Sequence, residues 1–429
     1  ENANIVITAG TVDTATTVTN ATTVTSATGV TSANTVDTVS SATTVSSATS
    51  VTTATTVNAA GTVANAGSIQ GAWLPVSRTS AHTIATGDSN TTQCLSGGFY
   101  TIAFPSPSGF SNSFTVTLFN VDSGSGKKIT FTGSTAGPTS FILWPNQTVM
   151  VGVLNSEWMV LQEPPLWSVP GPTSFYVATS GGSDTNDGLS PSTPFATIQG
   201  AINVLETSIR RTAQGSILVN LAAGTYNVGG GVNINYGEVL GDLEILGNDS
   251  DPESVIIQCD AGGFCFRVRD GMTTVTLAGM YFTTSGNGST AVSAEAYCNI
   301  DLDTVVFGNF PSGTHINATF FGSINVVSDY YVIGGASVHY NIGYCSQITI
   351  GPSRTVNGVP NLVFTYFASA ENIGIINLQP TVVNFSGFSP VTGTRYIVAN
   401  NGLIVGTGSN ANLFPGDTAG SALNGGIYA

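Results

Sequence analysis

In the stretch CNIDLDTVVF, Asp301 and Asp303 stand two residues apart, each beside an apolar residue, Ile300 or Leu302. In a strand, residues two apart share one side. The two carboxylates therefore point together, away from the apolar pair. Two carboxylates held about 5 to 10 Å apart are what glycoside hydrolysis uses, one as acid and the other as base or nucleophile. Glu295 and Asp329 are the nearest residues that would complete such a site. The competing reading is a pair of solvated outward residues. His315 and His339, 24 residues apart, are placed to stack on one another or to serve as polar residues in turns.

Three further groups carry chemistry. The segment SDTNDGLS offers Asp184, Asn186 and Asp187, the oxygen donors of a Ca²⁺ loop. The acidic ligands that should follow are missing, so a turn-stapling role is expected, with no metal and no other cofactor. Tyr297, Phe321, Tyr344 and Phe367 recur at steps of 24, 23 and 23. Exposed, such a ladder is a platform for stacking sugars; burial in the core or between chains is the expected state. The five cysteines are widely spaced and odd in number, which is no disulfide framework. They read as buried thiols, with Cys259 and Cys265, flanking DAGGF, as the one pair close enough to join.

These residues need a scaffold, and its period is visible. Val275/Leu277, Ile300/Leu302, Ile324/Val326, Ile348/Ile350 and Ile373/Ile375 are apolar pairs at intervals of 24 or 25. Ile217/Val219 and Leu243/Ile245 extend the series upstream. A strand-like repeat of that length means a solenoid, in which each pair stacks on the pair below. Ahead of it, Phe195, Ile198, Ile202, Leu205 and Ile209 recur at helical spacing. Thr193 as N-cap and Pro194 as first residue predict a helix over 194–210, covering the open end of the coil. Residues 71–163 alternate in short runs separated by Gly/Ser turns and read as a small antiparallel β-domain. Residues 164–173 read as a stiff Pro-rich linker, 174–385 as the solenoid, and 386–429 as a β-rich tip. The tip has few apolar residues, among them Tyr396 and Phe414, and is marginal alone, so it is expected to share a core among three copies.

Residues 1–70 have a different grammar. From Ala3 to Ile69 every third residue, 23 in succession, is Ala, Val or Ile. That period fits neither a helix nor a half-buried strand. It fits three extended chains wound about one axis, an intertwined trimeric stalk. A disordered Ser/Thr stalk and a single-chain β-solenoid are the alternatives. The solenoid wants a six-residue period, which is present at first but slips by three between Val36 and Val45.

Charged residues are only 8% of the 429, and the net charge is −15. No basic cluster exceeds Lys127-Lys128 and Arg210-Arg211, which argues against nucleic-acid binding. No apolar run of about 18 residues is present to span a bilayer.

The stretch FYVATSGGSDTNDGLSPSTPFATIQGAINVL followed by ILVNLAAGTY resembles the start of the pectate-lyase-like right-handed β-helices of bacteriophage tail fibres and tailspikes. ILWPNQTVMVGVLNSEWMVL resembles a small β-domain of the same proteins, and the stretch from Gly393 to Ala429 resembles their C-terminal tip modules. The resemblance implies an all-β homotrimeric fibre on a virion, made in the host cytoplasm. Its N-terminal end would join baseplate or tail proteins, and it would adhere to a bacterial surface polysaccharide or another receptor. Many such proteins also cut the glycan, and a depolymerase acting through Asp301 and Asp303 is one alternative. A purely structural fibre is the other. Few rungs and no insertion loop beyond about ten residues favour binding over catalysis.

Overall fold

The computed structural model describes side chains from residue 75 onward, apart from 137, 163, 165–166, 168–171, 208–215, 236–241, 270, 272–273, 379–382 and 407–409; within residues 2–51 it describes strand backbone only. The chain divides into two units, one comprising residues 1–77, 88–93 and 115–117 and the other the remainder.

In the first unit, two four-stranded parallel sheets lie within residues 2–51. Ala3 pairs with Ala15 and Val6 with Val18, twelve residues on. Ala9 pairs with Ala21 and Val12 with Val24 in the second sheet. These pairings join strands of one chain, as in the single-chain solenoid alternative. Pairing within the chain gives backbone N–H and C=O groups partners that a polyproline-like chain leaves to water. The three-residue slip does not break it: Val30 pairs with Val45 and Ala33 with Ala48, a longer coil that restores like on like. The remainder of the expected stalk, 52–70, lies outside the described residues.

In the second unit, His82–Thr83, Thr101–Phe104 and Lys127–Phe131 pair in parallel, and only Ser140–Leu143 joins them antiparallel. The expected antiparallel domain is therefore mixed. A hairpin, Thr148–Leu154 and Glu157–Gln162, turns at Asn155 and Ser156, both at positive φ, the conformation of a tight primed turn. Its Trp158 packs edge-on against Phe104, Phe110 and Phe114. The expected linker is not a free spacer, since Trp167 stacks on Trp144 at 5.2 Å. Much of 164–173 lies outside the described residues.

From Thr173 the chain winds into a parallel β-helix with sheets of ten, seven and eight strands. The first sheet carries the predicted columns. Val275 pairs with Ile300, Ile300 with Ile324 and Ile324 with Ile348; Leu277, Leu302, Val326 and Ile350 form the second file. All are buried. The prediction fails one rung later, where Ile348 and Ile350 pair with Ile376 and Leu378, not with Ile373 and Ile375. That rung is 28 residues long, from Gln347 to Ile375, so a fixed period lands three residues early.

The helix, α1, spans Ile198–Ser208, starting four residues later than predicted. Its cap is Thr197, whose Oγ1 accepts from Gly200 N at 2.9 Å. Pro194 precedes it in extended chain, because Phe195 bridges Val177. Ile198, Ile202 and Leu205 bury themselves in the β-helix core. Strands Val391–Ala399 and Leu403–Val405 continue the third and first sheets, which end at Ser421–Ala422 and Ile427–Tyr428. Tyr396 and Phe414 are buried in that same single-chain core.

Candidate functional site

From Thr290–Glu295 onward, six strands of the third sheet reach the next strand of the first through a turn of two left-handed residues. The pairs are Ala296-Tyr297, Phe320-Phe321, Tyr344-Cys345, Asn372-Ile373, Asn400-Asn401 and Asn424-Gly425, and every residue has φ between 50° and 81°. The turns stack: Phe321 N donates to Tyr344 O, and Cys345 N to Asn372 O. Left-handed backbone suits Gly and Asn, and is a costly conformation for aromatic or β-branched residues. The last rungs follow that rule. Asn400 Nδ2 donates to Asn372 Oδ1, and Asn424 Nδ2 to Asn400 Oδ1. The earlier rungs break it with Tyr, Phe and Ile.

The result is an apolar ridge along the corner of the coil. Tyr297, Phe320, Phe321, Tyr344 and Ile373 are 64, 54, 50, 52 and 54% exposed. Tyr297 and Phe321 stack at 4.8 Å with rings 4° from parallel; Phe320 and Tyr344 stack at 4.8 Å and 12°. The expected burial of this ladder holds only for Phe367, which is wholly buried beneath Phe385 and Phe388. The ladder also has two files, not one. Ala296, Phe320 and Tyr344 form the first, Tyr297, Phe321 and Cys345 the second, each at steps of 24. Phe320 and Ile373 were missed; the dipeptides AY, FF, YC and NI, in phase with NN and NG, carried the signal.

Polar residues flank the ridge. On the first sheet, Asp301 and Asp303 lie outward, opposite the buried Ile300 and Leu302, as the alternation predicts. Asp301 Oδ1 accepts from Asn299 Nδ2 at 3.1 Å and Asn325 Nδ2 at 2.8 Å. Asp303 Oδ1 accepts from Thr304 Oγ1 at 2.9 Å. On the third sheet, Glu295 accepts two bonds from Arg267, Nε to Oε1 at 2.9 Å and Nη2 to Oε2 at 2.7 Å, and a third from Ser293. Asn317 and Asn341 continue the outward file of Arg267 and Ser293, two residues before that of Glu295. Glu295, engaged on both oxygens by a cation, is poorly placed to donate or take a proton. Asp329 instead fixes a turn, accepting from Thr355 N at 2.8 Å.

The remaining candidates are structural. Asp184 Oδ1 accepts from Ala196 N and Thr197 N, and its Oδ2 from Thr197 Oγ1, which places an anion at the start of α1 where the helix dipole favours it. Asp187 is buried and accepts from Leu189 N, Thr193 Oγ1 and Gly126 N; burial raises its carboxyl above the usual range. Asn186 donates to Pro194 O. These bonds staple the first turn of the coil. A cleft of about 350 Å³ at the start of α1 is lined by groups already engaged: Gln199 with Asn233, and the Tyr226 hydroxyl with the Val177 and Ala222 carbonyls. Among the described residues, no group of three or more His, Cys, Asp or Glu is placed to hold a metal ion, and no helix is long and apolar enough to cross a membrane.

His315 and His339 do lie on adjacent rungs, but in the core, neither in turns nor at the surface. All five cysteines are free thiols; Cys345 is exposed and Cys94 half-buried, against the expectation of burial. Cys259 and Cys265 are buried, and both sulfurs reach the Thr283 carbonyl. Hydrogen bonding from Cys265 lowers the Cys259 thiol to about 7.

No family model, curated protein or solved structure matches the chain.

Proposed function

We propose that the chain is an adhesive fibre protein that binds a bacterial surface glycan along the aromatic ridge, as a tail-fibre or tailspike component of a virion. The observation that carries this is the unfavourable backbone beneath the ridge. Tyr297, Phe320, Phe321, Tyr344 and Ile373 hold left-handed turns that Asn and Gly hold in later rungs. Such strain, of order 1 kcal/mol or more per residue, persists where a function needs the side chain. Exposed aromatic rings beside Asn, Asp and Thr groups are the chemistry that meets a sugar's C–H face and its hydroxyls. Adhesion is favoured over cleavage because Asp301 and Glu295 are both committed to fixed partners.

The test uses Tyr297→Asn and Phe321→Asn in the whole chain, labelled and mixed with host cells. Both variants should fold, with a melting temperature equal to or above the parent's, and should lose at least about tenfold in cell binding. Val363→Asn, at an exposed valine away from the ridge, should bind as the parent does. Full binding by both ridge variants would remove the ridge from the function. New reducing ends or unsaturated products released from the glycan would support the depolymerase alternative instead.

A further inference from the structure

We infer that the glycan taken by the ridge carries no acidic groups: it is a neutral or amino-bearing chain, not one built on uronate, sialate or phosphate. This rests on the glycan reading above and adds the charge class of its ligand. The turn residues of the ridge are themselves uncharged. The nearest file of the third sheet runs Arg269, Glu295, Thr319, Gly343, Glu371, in register by the pairing of the residues before them and of Glu295 with Thr319. The first-sheet flank presents Asn299, Asp301, Asp303, Asn325, Gln347 and Thr349.

Two arginines, Arg267 and Arg269, thus stand against four carboxylates, Glu295, Glu371, Asp301 and Asp303. Arg267 is already spent on Glu295 through both of its bonds. Asp301 and Asp303 take only amide and hydroxyl donors, and have no cation beside them among the described residues. The whole chain adds a net −15. Rungs repeat at about 4.8 Å, well inside the screening length of about 8 Å at physiological ionic strength. An acidic polymer laid along the ridge therefore meets Asp301 and Asp303 at one end and Glu371 at the other, with uncharged Thr319, Gly343, Asn325 and Gln347 between them and Arg269 as the one flanking cation outside an ion pair among the described residues. A neutral glycan meets amides, hydroxyls and carboxylates that donate to and accept from its hydroxyls, and an amino sugar gains an ion pair.

The test is a panel of purified bacterial glycans in neutral, amino and acidic sets, probed with the intact chain at low and high salt. Binding should fall in the neutral or amino sets, and binding to neutral chains should change less than about twofold with salt. The double variant Asp301→Asn, Asp303→Asn should gain about fivefold or more on acidic glycans. Binding of the parent chain to the acidic set, weakened by salt, overturns the charge class while leaving the glycan reading standing. No binding anywhere on the panel overturns the glycan reading and this inference together.

Discussion

Four polar side chains in the core form a chain of hydrogen bonds whose proton order follows from neutral imidazoles and one carbonyl acceptor. His315 Nε2 lies 2.9 Å from the Gly308 carbonyl, which can only accept, so that nitrogen carries the proton. His315 Nδ1, 2.8 Å from His339 Nδ1, must then accept, and His339 donates. His339 Nε2 accepts from the Tyr330 hydroxyl at 2.7 Å, and Tyr330 accepts in turn from Tyr340. Both imidazoles are neutral, and the rings around them, Phe307, Phe310, Phe364 and Phe367, offer no counter-charge. Burial pushes His315 down to about 3 and His339 well below its ordinary value. In the unfolded chain a histidine titrates near 6.5. The unfolded state therefore binds more protons between about pH 6.5 and 3, and stability is full above that window and lost as pH falls through it. Unfolding in denaturant should show it, with several kcal/mol gone by about pH 4. Tyr330→Phe should cost about 1–3 kcal/mol at pH 7, because it strands the His339 acceptor and the Tyr340 donor.

At the scale of the element, the stacked strand and the turn respond in opposite ways to substitution. Ile324 sits between Ile300 and Ile348 in a closed file. Ile324→Ala should cost about 2–5 kcal/mol in thermal or denaturant unfolding. Thr304→Ala, in a half-exposed position whose hydroxyl donates to Asp303, should cost far less. Equal losses would contradict the rung assignment. Changing Asn400 to Phe should destabilise the coil by about 1 kcal/mol or more, since it forces a bulky residue into the same left-handed turn. What was legible in the sequence follows this division. Paired Ile, Val and Leu announce a buried file, because alternation has one physical meaning. Turn residues do not announce their exposure, because a phenylalanine at φ of 66° is locally the wrong residue. Nothing in the local rules points Phe321 outward while Phe367 lies buried.

For the whole molecule, the sequence made the parallel coil legible and missed its limits. Scattered residues of the expected tip, such as Tyr396 and Phe414, pack in one buried cluster with the residues of neighbouring rungs, a long-range fact that composition does not record. The 28-residue rung hid Ile376 for the same reason. A homotrimer remains a proposal that light scattering on the intact chain checks, with three times the 43.7 kDa chain mass as the expected result. If the ridge is the adhesive surface and not the seam between copies, Phe321→Asn should leave that mass unchanged; dissociation would assign the ridge to assembly.

The two central rungs of the ridge are equal in length, Ala296 to Phe320 to Tyr344 at 24 residues each, and begin and end in one backbone conformation. Such units are interchangeable as coding blocks. A duplication or loss of 72 nucleotides there adds or removes one whole coil, keeps every inward residue inward, and lengthens or shortens the ridge by a single strand spacing of about 4.8 Å. Recombination between related genes can thus resize the contact surface in discrete steps without redesigning the core.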